Sequence, residues 1–251
     1  MKTLGKIITV VLILLTLTTL MSCSKKTNVL VVGVSAEYPP FEYKEGADFK
    51  GIDIEIAKLV AQKLGMELQL QDMEFDSLIP SLTSNKIDLA ISAITITPER
   101  KEQIDFSDSY YKSNQTVLVK KESPVVVNTE ADLTNFVIGA QNGTTGQLYL
   151  SNNYVKTGKM DEKKLKKYST NIEAVTDLLN GNIDMVIMDE PAAKGYARVK
   201  EVKLVYTIQT NEEFGIALPK NSPLKDKINQ ALKEILASDD WNKIVNDYLV
   251  K

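Results

Sequence analysis

The stretch Leu89–Arg100, L-A-I-S-A-I-T-I-T-P-E-R, decides how the rest of this chain is interpreted. An apolar run passes into small and hydroxyl residues, which is typical of the end of a buried strand. Thr97 followed by Pro98 predicts that a helix begins there, with Thr97 as its N-cap. Arg100 then lies in the first helical turn beside hydroxyl and N–H groups, where a guanidinium can bind a carboxylate through two bonds. The alternative is a solvated Arg in a charged run.

The overall composition limits the possible functions. The chain has 251 residues, which allows one large domain or two of ordinary size. Charged residues are 25% and hydrophobic residues 43%, as in globular proteins, and the formal net charge is -3. No basic patch with interleaved aromatic residues is present, so we expect no nucleic-acid partner. The absence of histidine excludes Ser-His and Cys-His nucleophiles and His-ligated zinc, and we expect neither a metal nor a cofactor.

The first residues have the pattern of an export signal. Lys2 and Lys6 precede an almost purely apolar or Thr run over residues 7–21, too short to span a bilayer comfortably. The closing Leu-Met-Ser-Cys segment resembles a bacterial lipoprotein signal, although Met21 is a less usual residue there. We expect removal of residues 1–22, lipidation of Cys23, the only cysteine, and a polar tether over residues 23–28. The alternatives are an N-terminal membrane helix or a plain secretory signal.

Strands and helices alternate after this segment. The β-branched run Val29–Val34 predicts a strand, and Asp53–Leu64 has the apolar spacing of a helix. Short strands are predicted at Thr116–Val119, at Val202–Val205 and at Glu213–Pro219, and a loop over residues 105–111. The order of elements is typical of parallel α/β units.

Three polar features follow predicted strands, where open α/β sheets bind ligands. Thr95 with Arg100, and the Gly-Thr-Thr turn at residues 143–145, suit a carboxylate, whereas Asp189 suits an ammonium group. Asp189 could instead cap the helix that begins near Pro191. Tyr38 and Phe75 offer flat apolar walls, although either ring could also pack in the core. Together these residues predict a site for an α-amino acid zwitterion, because each buried charge would have a partner.

Five ordered motifs carry a resemblance to a known family. They are Y-P-P-F-E (Tyr38–Glu42), F-D-S-L-I-P-S-L (Phe75–Leu82), I-T-I-T-P-E-R (Ile94–Arg100), I-D-F-S-D-S-Y-Y (Ile104–Tyr111) and Q-N-G-T-T (Gln141–Thr145). From Val29 to its end the chain resembles the polar amino-acid-binding proteins of bacterial ABC importers. The resemblance implies an α/β fold of the type II periplasmic-binding-protein class, a two-lobe clamshell with the ligand in the cleft.

The resemblance also implies a domain organisation and partners. Lobe 1 comprises residues 29–116 plus 211–251, lobe 2 comprises 121–206, and the hinge lies at 117–120 and 207–210. The implied partners are a free amino acid, the permease and ATPase subunits of an ABC importer, and a bacterial membrane reached through the lipid on Cys23. The implied location is extracytoplasmic, in a periplasm or at a cell surface, and no enzymatic activity is expected.

The family's ligand-binding roles transfer to matching positions of this chain. Arg100 would bind the ligand carboxylate, Asp189 the α-ammonium group, and Tyr38 and Phe75 would sandwich the side chain. The full expected set is Tyr38, Phe75, Ser92, Ala93, Thr95, Arg100, Gln141, Gly143, Thr144, Thr145 and Asp189.

At two positions the sequence departs from the family pattern, so the chemical type of the ligand's side chain is not determined. Ser35 stands where many relatives that bind basic amino acids or glutamine have an acid, and Ala93 replaces a frequent hydroxyl residue. The neighbouring Glu37 is expected to point elsewhere, since side chains alternate along an extended chain. The Q-N-G-T-T loop, by contrast, resembles arginine-binding members. A polar or basic amino acid is favoured. A small neutral amino acid, a cyclohexadienyl-dehydratase-like enzyme with Glu37 or Asp189 as acid or base, and a sensor or adhesin module remain as alternatives.

Overall fold

The computed structural model describes residues 28–250, so the predicted signal, Cys23 and the tether up to residue 27 lie outside the described residues. The strands are β1 (Val29–Val34), β2 (Glu37–Tyr38), β3 (Glu42–Glu45), β4 (Asp48–Lys50), β5 (Glu67–Asp72), β6 (Leu89–Ala90), β7 (Ile104–Lys120), β8 (Ile138–Gln141), β9 (Leu165–Tyr168), β10 (Met185–Asp189) and β11 (Val202–Pro219). The helices are α1 (Ile52–Leu64), α2 (Leu78–Thr83), α3 (Pro98–Gln103), α4 (Thr145–Leu150), α5 (Asn171–Asn180), α6 (Glu190–Val199), α7 (Lys225–Leu236) and α8 (Asp239–Val245). Within residues 28–250 no helix has the length and apolar character needed to cross a bilayer.

The strands form two parallel groups joined by a long antiparallel pair. The order in the main sheet is β5-β1-β6-β11-β7-β10-β8-β9, and β2, β3 and β4 form a small separate sheet. β5, β1 and β6 are mutually parallel on one side, and β10, β8 and β9 on the other. Helices cover both groups, so the chain is an α/β protein of two lobes, as predicted.

The two long strands differ from the sequence prediction. β7 runs unbroken over Ile104–Lys120 and β11 over Val202–Pro219. The predicted loop at residues 105–111 is wrong, because Asp105 pairs with Leu218 and Tyr111 with Phe214. Local pattern missed this continuity because each strand passes from one lobe to the other, and its buried face changes on the way.

The predicted hinge segments, residues 117–120 and 207–210, lie within the long strands β7 and β11. Val117, Leu118 and Val119 are fully buried, and Leu118 pairs with Val186 of β10. Residues 117–119 therefore lie inside the sheet, beside β10. The regular pairing of β7 with β11 breaks between Ile208 and Glu212, and residue Asn211 has a φ of 50°. We propose that the lobes bend near residues 113–115 and 208–212, and the domain bounds given above stay a prediction.

The local signals around the opening stretch are confirmed. α3 begins at Pro98, and the Thr97 hydroxyl accepts a hydrogen bond from the N–H of Arg100 at 3.2 Å. In the second lobe, Thr144 caps α4 by accepting from the N–H of Gln147 at 3.3 Å. Both caps place a helix N-terminus at the cleft.

The loop before β3 is held against the start of α1. Phe41 is fully buried and packs edge-on against Tyr111 and Phe214, with ring centroids 5.1 and 5.3 Å away. Its carbonyl oxygen accepts from the N–H of Asp53 at 2.9 Å. Gly51 has a φ of 121°, and a Cβ added there would lie 2.1 Å from that same oxygen. This close approach is available only to glycine.

We therefore expect Gly51→Ala to destabilise the protein far more than Gly46→Ala. Both glycines have positive φ, but a Cβ at Gly46 would meet nothing within 4 Å. Strain alone should cost Gly46→Ala about 1 kcal/mol, whereas the added clash should cost Gly51→Ala about 3 kcal/mol or more. Urea unfolding of both variants measures the difference, and equal losses would show that the backbone relaxes around residue 51.

Candidate ligand-binding site

A cavity lies between the two lobes. It is lined by Ser35, Tyr38, Glu42, Phe75, Ser92, Ala93, Thr95, Arg100, Gln141, Thr144, Thr145 and Asp189. Every residue of the expected ligand-binding set except Gly143 is in this lining. Gly143 contributes through its carbonyl oxygen, which accepts from Nη2 of Arg100 at 3.1 Å. Ser35 and Glu42 are additions. No group of three or more His, Cys, Asp or Glu side chains within the described part of the chain is placed to hold a metal ion.

Arg100 is buried at one end of the cavity. Its side chain is 6% exposed, so the alternative of a solvated helix residue is wrong. Nη1 donates to the carbonyl oxygen of Thr95 at 2.8 Å, and the guanidinium carbon lies 5.5 Å from the Phe75 ring centroid. Burial lowers the pKa of Arg100, and the carboxylates of Glu212 and Asp189 oppose this effect. Since Gly143 belongs to lobe 2, the guanidinium also joins the lobes.

Asp189 lies at the end of β10, with its carboxylate turned toward the cavity. It occupies the N-cap position of α6, yet its side chain makes no capping hydrogen bond, so the capping alternative is wrong. Oδ2 accepts from the Tyr38 hydroxyl at 2.8 Å, and Oδ1 accepts from Nε2 of Gln115 at 3.0 Å. Burial, with the nearby charge of Glu212, raises the pKa of Asp189 to about 7. An ammonium group would stabilise its ionised form.

Glu212 is a site residue that the sequence analysis missed. Its Oε2 accepts from the hydroxyls of Thr95 and Thr145, both at 2.7 Å. Because each hydroxyl has a single proton, both threonines keep only lone pairs for other partners. Such oxygens suit an N–H donor better than a carboxylate. In the sequence, Glu212 is part of a polar run with no site signal, and only the pairing of β11 with β7 brings it to the cleft.

Glu37 lies outside the cavity lining, and its carboxylate reaches across the cleft to the opposite lobe. Oε1 accepts from Nε2 of Gln141 at 2.8 Å and from the N–H of Asn171 at 2.9 Å. Oε2 accepts from the N–H of Ile172 at 3.2 Å, so the carboxylate binds the first turn of α5. Burial raises the pKa of Glu37 to about 7, against these hydrogen bonds. Glu37 thus connects the lobes beside the cavity and fixes the amide of Gln141 in its wall.

Comparisons with known proteins agree with this geometry. Residues 30–251 match the family model described as bacterial extracellular solute-binding proteins, family 3. The chain is 38% identical over 223 residues to the arginine-binding extracellular protein ArtP of Bacillus subtilis (strain 168), covering 86% of this chain and 84% of that protein. It is 36% identical over 236 residues to the ABC transporter arginine-binding protein 1 of Escherichia coli (strain K12), covering 90% and 92%.

A solved structure of an amino-acid-binding protein is also similar to this chain. The arginine-, lysine-, histidine-binding protein ArtJ from Geobacillus stearothermophilus has a TM-score of 0.80 to this structure at 36% identity, covering 88% of this chain and 95% of that one. The expected resemblance to amino-acid-binding proteins of ABC importers is thereby confirmed, as is the type II clamshell. The chain belongs to family 3 of the bacterial extracellular solute-binding proteins.

Proposed function

We propose that this chain binds a basic amino acid, with arginine as the first candidate, outside the cytoplasm and delivers it to the permease and ATPase subunits of an ABC importer. The observation that carries the proposal is the cavity itself, in which buried Arg100 and buried Asp189 face the space between two lobes. A zwitterion supplies both opposite charges at a fixed separation, so neither protein charge would remain unpaired.

The proposed ligand pose follows from the donors and acceptors of the lining. The α-carboxylate binds the guanidinium of Arg100, which lies beside the turn before α4. The α-ammonium group donates to Asp189 and to the hydroxyl oxygen of Thr95, whose own proton is directed to Glu212. The side chain of the ligand then passes between Tyr38 and Phe75 toward Gln141.

The balance of charge supports a cationic ligand. Asp189 and Glu212 lie close enough to Arg100 to act on its pKa, so two acids face one base. Glu37 adds a third carboxyl group beside the wall residue Gln141. A ligand with a neutral side chain would leave this excess negative charge unbalanced. This chain has Ser35 at the position where many relatives have an acid. Glu212 and Asp189 supply negative charge near Arg100 instead.

The proposed mechanism is closure of the lobes on the ligand. Contacts of Arg100 with Gly143 and of Glu37 with Asn171 cross the cleft, so they exist only when the lobes are together. A ligand bound to both lobes shifts the equilibrium toward this form, which then docks on the permease.

We further propose that the chain is a binding protein and not an enzyme. The two candidate acids of a dehydratase are both engaged, since Glu37 binds backbone N–H groups of α5 and Asp189 accepts from Tyr38 and Gln115. The relatives compared above are named as binding proteins. Consumption of prephenate or arogenate by the purified chain would overturn this part of the proposal.

The first test is a thermal-shift screen of L- and D-amino acids, followed by titration of Arg100→Ala. A ligand at a hundred times its dissociation constant stabilises a protein by about 2.7 kcal/mol. We expect arginine to give the largest shift. Arg100→Ala should lose about 100-fold in affinity, because the ligand carboxylate would be buried without its partner.

Arg198→Ala is the matched control. Arg198 lies on the surface of α6, where it donates to the carbonyl oxygen of Leu249 at 3.1 Å, and its loss should leave affinity unchanged. Equal binding by Arg100→Ala and the native chain would refute the site assignment. A response limited to neutral amino acids would refute the charge argument alone.

The affinity for arginine should fall as the pH decreases from 8 to 6. The pKa of Asp189 is about 7 in the ligand-free protein, and an ammonium partner requires the ionised form. Below that pH a proton must leave on binding, so affinity should drop by at most about tenfold per pH unit. Calorimetric titration should show weak binding without this slope in Asp189→Asn. Glu37→Gln removes the other group with a pKa of about 7, and the slope should persist in that variant.

We propose in addition that a lipid on Cys23 holds the mature protein at a bacterial membrane. The support is the sequence alone, an apolar run closed by Leu20-Met21-Ser22-Cys23. In a bacterial host, Cys23→Ser should abolish incorporation of labelled fatty acid and move the protein to the soluble fraction. Ser24→Ala should behave as the native chain, and membrane retention of Cys23→Ser would favour an uncleaved N-terminal helix.

A further inference from the structure

Two buried carboxyl groups lie together under one wall of the cavity. Glu42 begins β3 and is 1% exposed, and Asp53, in the first turn of α1, is 0% exposed. Consecutive residues hold the two carboxyl groups, since Glu42 accepts from the Ser92 hydroxyl and Asp53 from the N–H of Ala93, and Glu42 also lines the cavity. Two fully buried carboxylates that act on each other cannot both stay ionised without a large electrostatic cost, so one of them is expected to hold a proton.

The surrounding donors bind one oxygen of each carboxyl group and leave the second oxygen for that proton. Asp53 Oδ2 accepts from the N–H of Ala93 at 2.7 Å and from the Tyr110 hydroxyl at 2.9 Å. Glu42 Oε1 accepts from the Ser92 hydroxyl at 2.6 Å. Among the described residues, the buried atoms Glu42 Oε2 and Asp53 Oδ1 have no hydrogen-bond partner. A proton on Glu42 Oε2, donated to Asp53 Oδ1, satisfies both atoms at once.

The same pair holds the cavity-lining segment Ser92–Ala93, which directly precedes the region of Thr95, a proposed partner of the ammonium group. Ser92 is fixed from both sides, since its hydroxyl donates to Glu42 and accepts from the N–H of Ser35 at 3.0 Å. Ala93 has a φ of 45°, a conformation that a residue with a Cβ keeps only when its surroundings impose it. The bond from its N–H to Asp53 is such a constraint.

We propose that Glu42 and Asp53 share one proton and, in that form, are positioning residues that hold the Ser92–Ala93 turn for the ligand's ammonium group. The ligand role rests on the proposed function, whereas the shared proton stands on the geometry of the pair. The site would then present Glu42 as a neutral acid and keep Asp189 as its charged partner for the ligand.

The pH dependence of stability has a definite sign. Burial and the adjacent Asp53 raise the pKa of Glu42 well above its ordinary value, and burial raises that of Asp53 to about 6. Glu37 adds negative charge, and the phenols of Tyr38, Tyr110 and Tyr196 face the pair as neutral groups. A raised pKa means that the folded state holds its proton more tightly. The stabilisation is therefore largest below the unfolded-state pKa and is lost as the pH rises.

The test compares Glu42→Gln with Glu42→Ala in two measurements. Urea unfolding without ligand is followed from pH 6 to pH 9, and arginine binding is titrated at pH 7.5. In Glu42→Gln the amide N–H replaces the shared proton, so arginine affinity should stay within about threefold of native and the alkaline loss of stability should be smaller than native. Glu42→Ala should lose about tenfold or more in affinity, because Ser92 and Asp53 lose their partner. Glu45→Gln, at the exposed end of β3, is the control and should match the native chain.

Two results would overturn the proposal. Loss of affinity by Glu42→Gln as large as that of Glu42→Ala would show that the site needs an ionised Glu42. A native-like alkaline loss of stability in Glu42→Gln would show that no proton is shared. If the native chain itself bound no amino acid, the proposed function would fail, while the unfolding measurement would still decide the shared proton.

Discussion

The burial of charge between the lobes is the constraint on which this structure depends. A guanidinium that is only 6% exposed must replace its lost hydration with acceptors. Arg100 takes one acceptor from its own lobe, at Thr95, and another from the opposite lobe, at Gly143. The buried carboxylate of Asp189 likewise replaces its hydration with donors, the Tyr38 hydroxyl and the Gln115 amide. Satisfying these charges therefore requires that the lobes be together, so the chemistry of the site and the position of the lobes are linked.

The long strands β7 and β11 connect the two lobes and also carry residues that bind groups of the site. Gln115, where β7 enters the second lobe, donates to Asp189 and also to the hydroxyl of Thr145 at 3.3 Å. Glu212, beside the break in the strand pairing, accepts from threonines of both lobes. The segments that must bend on opening thus carry residues of the site. Under the proposed hinge and ligand pose, rotation of the lobes and assembly of the ammonium position are one event.

Local signals predicted the parts of the site that one segment encodes. Thr97, Pro98 and Arg100 define a cap, a first turn and a charge within four residues, and the structure has each of them. The resemblance to a known family supplied the assembly of the cleft. Neither could predict the continuity of β7 and β11, the register break at the hinge or the reach of Glu212, because these depend on pairing between residues about a hundred positions apart. The partners of Glu37 could not be predicted for the same reason, since they belong to the other lobe.

Ser35 shows why the ligand's charge does not follow from one position in the sequence. A carboxyl group attracts a cation only when it is ionised, and burial decides this as strongly as the number of acids. Under the proposed sharing of a proton with Asp53, Glu42 is neutral and forms part of a polar but uncharged wall. Asp189 and Glu212 then set the negative charge that faces Arg100, and neither lies near Ser35 in the sequence. The preference of the site is therefore a property of the closed cleft, in which acids from the hinge and from lobe 2 act on one ligand.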